Sequence, residues 1–423
     1  MTSADAVAEV PGGIRRPLAG ITGRVRSVAG LLDRPLTSYY LVLGITMLLL
    51  ALGLIMVLST SSAAQLVSGQ PPYAVFQKQL LGVVIGLPLM WVAAKSSPTL
   101  FRAAAYPLLA VSVVGLVLVL VTGTRVAGVE RWIQVGGVQI QPSEFAKLAF
   151  VLWGADLLAR KEKLGQLTDW RQLLIPLLPG AVVLALLVML GEDLGTTFLL
   201  LVIFLALLWV IGTPGRLVFG MLGLMGFAMM ILIIVEPYRV HRITGFLDPQ
   251  AQLSGNGYQL NQGKYAIGSG GWFGVGMGDS KAKWGWVPNS TTDFIFAILG
   301  EELGLVGTLC VAFLYGGLAY AGLRIARRVT DTFMRLAAAA ATAWIVMQAL
   351  VNIGAVLGML PITGVPLPLV SAGLSSLLVT MVALGMLMAF AKREPGARQA
   401  LAAAGPGVPR RVLSWLGLAA RRR

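Results

Sequence analysis

The residues most suited to chemistry lie where a long polar segment meets an apolar run. Residues 236–292 are rich in glycine, aromatic and polar side chains, and Asp293 stands directly before the apolar stretch that Phe294 begins. A carboxylate can take a proton from a sugar hydroxyl, and a lysine such as Lys283, ten residues earlier, can meet a phosphate. This pairing predicts glycosyl transfer from a lipid pyrophosphate, with Asp293 as the acid–base residue.

A structural interpretation of the same residues stays open. Asp293 could cap the helix that begins at Phe294, because aspartate is a preferred N-cap residue. The nearby aromatic side chains could form an interfacial belt, which tryptophan and tyrosine commonly do in membrane proteins. These aromatic residues are Tyr258, Tyr265, Trp272, Trp284 and Trp286.

Other ionisable residues fall within or beside apolar runs, where they are functional candidates by default. Glu144 and Lys147 are three residues apart, so on a helix they are neighbours, either as a structural ion pair or as a polar cavity wall. Asp193 could cap the helix that follows it. For Glu301 and Glu302 we predict a structural role, with one of them paired to a basic group on a neighbouring helix.

Composition assigns the chain to the polytopic membrane proteins. Of the 423 residues, 57% are hydrophobic and 12% charged, and the mean hydropathy is +0.81. Crossing a bilayer takes about 20 apolar residues, and we predict an all-α fold with ten such spans. They are Ser38–Ala63, Tyr73–Ala94, Phe101–Thr122, Pro142–Leu158, Leu173–Leu190, Leu194–Ile211, Leu217–Val235, Phe294–Leu323, Phe333–Leu360 and Pro366–Phe390.

The basic residues predict the orientation. Most of the 33 Lys and Arg residues fall in alternate connections and in both tails, so the positive-inside rule places both termini in the cytoplasm and residues 236–292 outside. Residues 1–37 and 392–423 are predicted to be basic cytoplasmic tails around a membrane domain, residues 38–391. Topology and anionic lipid headgroups account for the net charge of +15, so no nucleic-acid partner is predicted.

The sequence lacks the motifs that several kinds of site require. No nucleophile triad, nucleotide loop or zinc signature occurs in context, and the glycines at 274, 276 and 278 do not follow a strand as a dinucleotide fingerprint requires. Cys310 is the only cysteine and His241 the only histidine, so neither a disulfide within the chain nor a histidine metal cluster is predicted. A divalent cation could bridge a pyrophosphate, but no ligand cluster in the sequence specifies one.

Several motifs together are similar to a known family. From Thr37 to Lys392 the chain resembles the SEDS proteins (shape, elongation, division and sporulation), and its cell-division branch, FtsW, more closely than its elongation branch, RodA. The motifs are Arg131-Trp132-Ile133, Gln141-Pro142-Ser143-Glu144 with Lys147, Asp193-Leu194-Gly195-Thr196, Gly257-Tyr258-Gln259, Ser269-Gly270-Gly271, Ser280, Lys283, Thr292-Asp293-Phe294, Glu301-Glu302, Leu367-Pro368, Ser371 and Gly373.

The chain departs from the family pattern at a few positions. Thr291 stands where the family usually has histidine, so the resemblance leaves the catalytic role to Asp293. Gly191 and Glu192 replace Gln and Pro before Asp193, and Leu369 and Leu374 replace Phe and Gly. The changes at Leu369 and Leu374 remove no ionisable group.

The resemblance implies a ten-helix peptidoglycan glycosyltransferase that polymerises lipid II at the division septum. It implies as partners a class B penicillin-binding transpeptidase and other membrane proteins of the divisome. Asp293 is then the essential acid, and Arg131 and Lys283 are candidates to meet the pyrophosphate. The predicted substrate-binding residues are Arg131, Gln141, Glu144, Lys147, Tyr258, Gln259, Ser269, Ser280, Lys283, Pro368 and Ser371, while Asp193, Glu301 and Glu302 are structural or line the cavity.

Three alternatives stay open. A transporter that moves lipid II across the membrane also needs many spans and charges within them. A scaffold that recruits the transpeptidase would use the large loop as an interface and Asp293 only as a cap. An elongation polymerase of the RodA type would act along the side wall, whereas residues 56–61 and the long basic tails favour division.

Overall fold

The computed structural model describes residues 36–126, 129–135, 138–165, 170–235 and 255–397, together with the single positions 240, 246 and 399. We number its elements along the chain. The helices are α1 Thr37–Val67, α2 Ala74–Lys95, α3 Pro98–Thr122, α4 Pro142–Lys163, α5 Trp170–Leu174, α6 Leu177–Leu190, α7 Leu194–Ile211, α8 Gly215–Val235, α9 Asn256–Gly270, α10 Ile295–Arg328, α11 Thr332–Val356 and α12 Leu374–Ala391. The strands are β1 Thr124–Val126, β2 Val129–Val135 and β3 Val138–Ile140.

A helix occupies each of the ten predicted spans, although the fifth is divided at Pro176 into α5 and α6. Within the described residues, nine helical segments are long and apolar enough to cross a membrane. The predicted fourth span, α4, is not among them, because it carries Glu144, Lys147 and Asp156 as well as basic residues at its end. The chain is an integral membrane protein, and the crossing by α4 stays a prediction.

The most buried helices lie at the centre of the bundle. Within an 18-residue apolar stretch of each helix, 78% of the residues are buried in α12 and 72% in α11, but only 11% in α8. Helix α4 is also largely buried, packed against α3, α7 and α11, so Glu144, Lys147 and Asp156 are shielded from lipid by protein. A helix that other helices surround can carry polar groups, provided that those groups are paired.

Local sequence signals explain where several helices begin and end. The side chains of Ser97 and Asp331 accept hydrogen bonds from the backbone N–H groups of Leu100 (3.3 Å) and Met334 (3.1 Å), which caps α3 and α11. Helix α3 has a proline at its first position, where no N–H is needed. Gly212 ends α7 with a left-handed conformation at φ 93°.

A small antiparallel sheet departs from the all-α expectation. Its strand order is β1-β2-β3, and Ile133 pairs with Ile140 between β2 and β3. Strand β2 reads Val-Glu-Arg-Trp-Ile-Gln-Val, and such β-branched and aromatic residues favour strands. The sheet leads directly into α4, and Arg131 lies on its central strand.

A helix also occupies part of the segment predicted as one large loop. In α9 the buried residues are Gly257, Gln259, Leu260, Gly263, Ala266 and Gly270, and the spacings of three or four residues among them give one helical face. That face packs on α10. The mixed polar composition concealed the periodicity. His241 and most of residues 236–254 lie outside the described residues, as do most of the two tails, so the loop boundary and the domain limits stay predictions.

Candidate active site

Asp293 lies in a turn immediately before α10. The N-cap position of α10 is Phe294, one residue after Asp293, and the Phe294 side chain makes no capping hydrogen bond. The capping interpretation of Asp293 stays a prediction. The Asp293 side chain is half-buried. Because the N-terminus of a helix carries a partial positive charge, this position stabilises a carboxylate.

Three consecutive carbonyl groups hold this turn. The carbonyl oxygens of Thr291, Thr292 and Asp293 accept hydrogen bonds from the Ala372 N–H (3.0 Å), the Ser371 hydroxyl (2.6 Å) and the Asn352 side-chain amide (2.8 Å), respectively. The turn also closes on itself, since the N–H groups of Thr292 and Phe294 both donate to the Asn289 carbonyl at 3.1 Å. The backbone that carries Asp293 is therefore fixed from two other parts of the chain.

One of those parts is the connection between α11 and α12, residues 357–373. Ser371, which donates to Thr292, also accepts a hydrogen bond from the Leu367 N–H at 2.9 Å. Tyr315 on α10 donates to the Pro368 carbonyl at 2.5 Å. The amide of Gln79 on α2 donates to the Ser371 carbonyl at 3.3 Å. Helices α2 and α10 thus support the segment that holds the Asp293 turn.

Glu144 and Lys147 form a buried ion pair on α4. The Lys147 Nζ lies 2.9 and 2.8 Å from the two Glu144 carboxylate oxygens, and both side chains are buried. Lys147 also donates to the Gln348 Oε1 at 3.0 Å and lies 5.0 Å above the centre of the Trp344 ring. The predicted mutual neutralisation is confirmed.

Helix α11 joins this ion pair to the Asp293 turn through two side chains one helical turn apart. Gln348 donates to the Pro366 carbonyl at 2.9 Å, and Asn352 donates to the Val365 carbonyl at 2.8 Å as well as to Asp293. Lys147 is therefore linked to the Asp293 backbone through Gln348 and Asn352 on α11 and through the backbone of residues 365–366 in the connection. A displacement of α11 would move both.

Asp193 organises a second polar cluster. It caps α7, because its Oδ1 accepts from the Thr196 N–H at 3.0 Å, which confirms the capping prediction. Its Oδ2 accepts from Gln141 (3.0 Å), Ser143 (3.2 Å) and the Thr196 hydroxyl (2.8 Å). The Arg131 guanidinium lies 3.7 Å from Oδ1 and also donates to the Glu192 carbonyl.

The surroundings of Asp193 keep it ionised. Burial acts to raise the pKa of this carboxyl, but the positive charge of Arg131 and the hydrogen bonds from Thr196 outweigh that effect and hold the pKa below its ordinary value. A cavity of about 10 Å³ lies between Arg131, Ser143 and Asp193. This space fits about one water molecule.

Glu301 and Glu302, near the start of α10, bind the polar loop. Glu301 accepts hydrogen bonds from the Ser280 hydroxyl (2.5 Å) and from the N–H groups of Lys281 (3.0 Å) and Ala282 (3.2 Å). Glu302 pairs with the Lys283 Nζ at 3.1 Å and accepts from the Ser59 hydroxyl at 2.6 Å. The predicted basic partner exists, but it lies in the loop rather than on a neighbouring helix.

The predicted site residues fall into separate groups. Arg131, Gln141 and Asp193 share one cluster, Glu144 and Lys147 a second, and Ser280, Lys283, Glu301 and Glu302 a third. Pro368 and Ser371 hold the Asp293 turn. On α9, Gln259 donates to the Pro288 carbonyl at 3.1 Å and Ser269 to the Ala266 carbonyl at 2.8 Å, while Tyr258 is half-buried. Their predicted contacts with substrate stay predictions.

Sequence reasoning missed three residues that the geometry makes central. Gln348 and Asn352 are polar residues four apart in an apolar helix, and both are buried. Such residues rarely occur within a membrane span without a purpose, so this spacing was an available signal. Ser59 gave no signal, because a lone serine near the end of an apolar run has many ordinary uses. Among the described residues, no three acidic, histidine or cysteine side chains form a possible metal-binding group.

Comparisons with known proteins agree with this arrangement. A family profile described as "Cell cycle protein", which covers FtsW, RodA and SpoVE, matches residues 39–395. A probable peptidoglycan glycosyltransferase FtsW of Mycobacterium tuberculosis is 42% identical over 374 residues, which cover 88% of this chain and 71% of that protein. The stage V sporulation protein E of Bacillus subtilis is 37% identical, over 81% of this chain and 94% of that protein.

Solved structures have the same fold. A chain from a peptidoglycan synthase complex, described as coordinating polymerization and crosslinking, aligns with a TM-score of 0.68 at 27% identity, over 83% of this chain and 96% of that one. The rod shape determining protein RodA of Thermus thermophilus aligns with a TM-score of 0.61 at 28% identity, over 86% and 98% of the two chains. This chain belongs to the FtsW, RodA and SpoVE family of cell cycle proteins, the SEDS family, in its FtsW branch.

Proposed function

We propose that this protein is a peptidoglycan glycosyltransferase that polymerises lipid II, the disaccharide-peptide carried by undecaprenyl pyrophosphate. The observation that carries the proposal is the fixed turn at Asp293, where three successive carbonyls are hydrogen-bonded and the carboxylate stands half-buried before α10. The relatives described as peptidoglycan glycosyltransferases support the same activity.

In the proposed reaction, Asp293 acts as general base. Its carboxylate takes the proton of the 4-hydroxyl on one disaccharide as that oxygen forms a bond to C1 of another. The bond from C1 to the pyrophosphate oxygen breaks, and undecaprenyl pyrophosphate leaves with the electron pair. Fixing the backbone on both sides of the base favours this step, because a misplacement of about 1 Å can cost 10²-fold in rate.

The charge on the leaving pyrophosphate needs cationic groups, and Arg131 and Lys283 are the proposed candidates. Each already contacts a carboxylate, Arg131 that of Asp193 and Lys283 that of Glu302. Either could meet a pyrophosphate only by leaving or sharing that partner. A divalent cation could supply the same stabilisation, but no step of the proposed reaction depends on one.

The protein is proposed to work with a class B penicillin-binding transpeptidase, consistent with its likeness to a chain of a peptidoglycan synthase complex. Other divisome membrane proteins are proposed as further partners at the septum. The polar loop would face outward, with both termini and the basic tails in the cytoplasm, since the basic residues follow the positive-inside pattern. We propose no nucleic-acid partner.

One experiment separates the enzyme from the transporter and the scaffold. The purified chain and its transpeptidase would receive labelled lipid II in detergent, where transport has no meaning. Glycan strands made by the wild type and lost with Asp293→Ala support the proposal, provided that the variant still binds the transpeptidase. A wild-type protein that makes no strands would overturn it, as would a fully active Asp293→Ala variant.

A further inference from the structure

The loop that follows α9 carries an exposed apolar surface. We call residues 271–286 the aromatic loop. Its large apolar side chains are exposed to 69% at Trp272, 83% at Phe273, 65% at Met277 and 60% at Trp286. An apolar patch of this kind on a protein surface marks a contact with another molecule or with a membrane.

The aromatic loop is docked into a break in α10. Gly304 has a non-helical conformation, with φ 66° and ψ −164°. At the break, the N–H groups of Leu305 and Val306 donate to the carbonyls of Gly271 (2.9 Å) and Trp272 (3.1 Å). In return, the N–H groups of Val275 and Gly276 donate to the carbonyls of Glu301 (2.9 Å) and Glu302 (3.2 Å). The loop therefore supplies hydrogen-bond partners that an unbroken helix would supply itself.

Close backbone contact makes this docking rigid. A Cβ atom on Gly274 would lie 2.1 Å from the Glu302 carbonyl oxygen, and one on Gly270 would lie 2.0 Å from that of Gly300. No side chain fits at either position. Glu301 and Glu302 also hold residues 280–283 through their carboxylates. The exposed side chains are thus presented by a fixed backbone.

The exposed surface continues onto two helices that cross the membrane. The side chains of Leu305 and Val306 are exposed on α10, as is that of Phe313 further along. The N–H groups of Leu305 and Val306 are the ones that donate hydrogen bonds to the loop backbone. On the other side, a Cβ atom at Gly285 would contact Val67, which is exposed at the end of α1. Exposed apolar side chains on a membrane-spanning helix face lipid. Lipid therefore adjoins the aromatic loop on both sides.

We propose that the aromatic loop is a lipid anchor, with Trp272, Phe273, Met277 and Trp286 inserted at the lipid–water interface on the Asp293 side of the bundle. Tryptophan is well suited to that depth because its ring is apolar and its N–H is polar. Within the loop, the exposed side chain of Lys281 suits the headgroup phosphates, while Asp279 is also exposed there. Docking at Gly304 then fixes the depth of the start of α10.

The test measures how deep labelled side chains of the aromatic loop lie in the bilayer. It uses a single copy of the full chain in a lipid nanodisc. Cys310→Ser removes the only cysteine, and nitroxide labels are then placed by Phe273→Cys or Met277→Cys. Two matched controls bracket the result: Phe313→Cys on the exposed apolar face of α10, and Thr330→Cys in the exposed turn before α11. Collision rates with oxygen, which enters lipid, and with a water-soluble nickel chelate give the depth of each label.

We expect labels at 273 and 277 to meet oxygen, to be shielded from the chelate, and to lie about 5–10 Å within the headgroup boundary, shallower than the label at 313. Chelate collisions equal to those at 330 would overturn the proposal, since the loop would then lie in water. Exclusion of both reagents would also overturn it, because the surface would be covered by protein. Both replaced side chains are exposed, and an unchanged melting temperature verifies the fold.

This measurement is independent of the proposed reaction. Labels that anchor as expected, beside an unlabelled wild-type chain that polymerises no lipid II together with its transpeptidase, would contradict the glycosyltransferase and leave the anchor standing. An active chain whose loop labels behave as in water would contradict the anchor alone.

Discussion

The side-chain amide of Asn352 lies 2.8 Å from the carbonyl oxygen of Asp293 and 2.8 Å from that of Val365. One buried residue of α11 therefore joins the turn before α10 to the connection that precedes α12. Asn352 makes no contact with the Asp293 carboxylate through these bonds. Asn352 would therefore affect a reaction at Asp293 by positioning the backbone that carries the carboxylate.

Replacing Asn352 by alanine should lower kcat by about 10- to 100-fold, because the Asp293 carbonyl loses its donor and small misplacements of a base are costly. KM for lipid II should change little, since the bonds of Asn352 are to backbone. Steady-state polymerisation kinetics in detergent measure both. Thr342→Val on the same helix is the control, because Thr342 is buried but donates only to the Ala338 carbonyl. A change in KM alone would contradict the positioning role.

Ser371→Ala should act through the same turn, since its hydroxyl donates to Thr292 at 2.6 Å. Groups that hold one element are not additive. The Asn352→Ala/Ser371→Ala double variant should therefore lose less activity than the product of the two single losses. Fully multiplicative losses would show that the two residues act at separate places.

Glu144→Gln alone should strongly destabilise the protein. Removing one member of a buried ion pair leaves Lys147 charged among protein atoms, which costs about 3–5 kcal/mol. Adding Lys147→Met should restore part of the loss, because the orphaned charge disappears. Melting temperatures in detergent provide the comparison, with Arg335→Gln as the control for a surface pair, Arg335 with Glu162. A double variant less stable than Glu144→Gln would contradict this explanation.

Much of the helical framework could be predicted from the sequence, because apolar runs of about 20 residues are typical of membrane-spanning helices. The helices at Leu194–Ile211 and Gly215–Val235 lie within two residues of their predicted starts. The helix Asn256–Gly270 could not be predicted, since its buried face includes Gln259 and three glycines and carries little apolar signal. Its burial depends on α10, a distant partner that local periodicity does not reveal.

Gly274→Ala should undock the aromatic loop. The new Cβ would lie 2.1 Å from the Glu302 carbonyl oxygen, at a φ of +80° that other residues rarely adopt. Gly278→Ala is a matched control, because its φ is +88° but its Cβ would meet open space. We expect a lower melting temperature and lower activity for the variant at 274 than for that at 278. Equal effects would show that backbone strain alone, and not docking, explains the loss.

Asp193→Asn should lower stability at neutral pH by about 1.5–3 kcal/mol, because hydrogen bonds to a charged acceptor are weakened. The pKa of Asp193 is held below its ordinary value, so its charge stabilises the fold above the unfolded value of about 3.9 and this contribution fades as pH falls through the lower, folded pKa. The difference in melting temperature between wild type and variant should thus be constant from pH 7 to about 4 and shrink below. A difference that shrinks already near pH 6 would contradict this.

The candidate site was predictable in its residue types but not in its contacts. Asp293 stands out in the sequence because it follows a long polar, glycine-rich and aromatic segment that also carries Lys283. That Lys283 pairs with Glu302 and Arg131 with Asp193 depends on how distant elements pack. The sequence spacing of these residues contains no such information, and only the fold brings each charge to its partner.

The measurement that bears most directly on the proposed activity compares two carboxylates in the same region of the chain. Asp293→Asn keeps the shape and removes the base, while Asp279→Asn changes an exposed acid in the aromatic loop. Each variant, bound to the transpeptidase, would receive labelled lipid II in detergent. We predict glycan strands from the wild type and Asp279→Asn, and a loss of at least about 10²-fold with Asp293→Asn. Near-normal polymerisation by Asp293→Asn would contradict the assignment of Asp293 as the base.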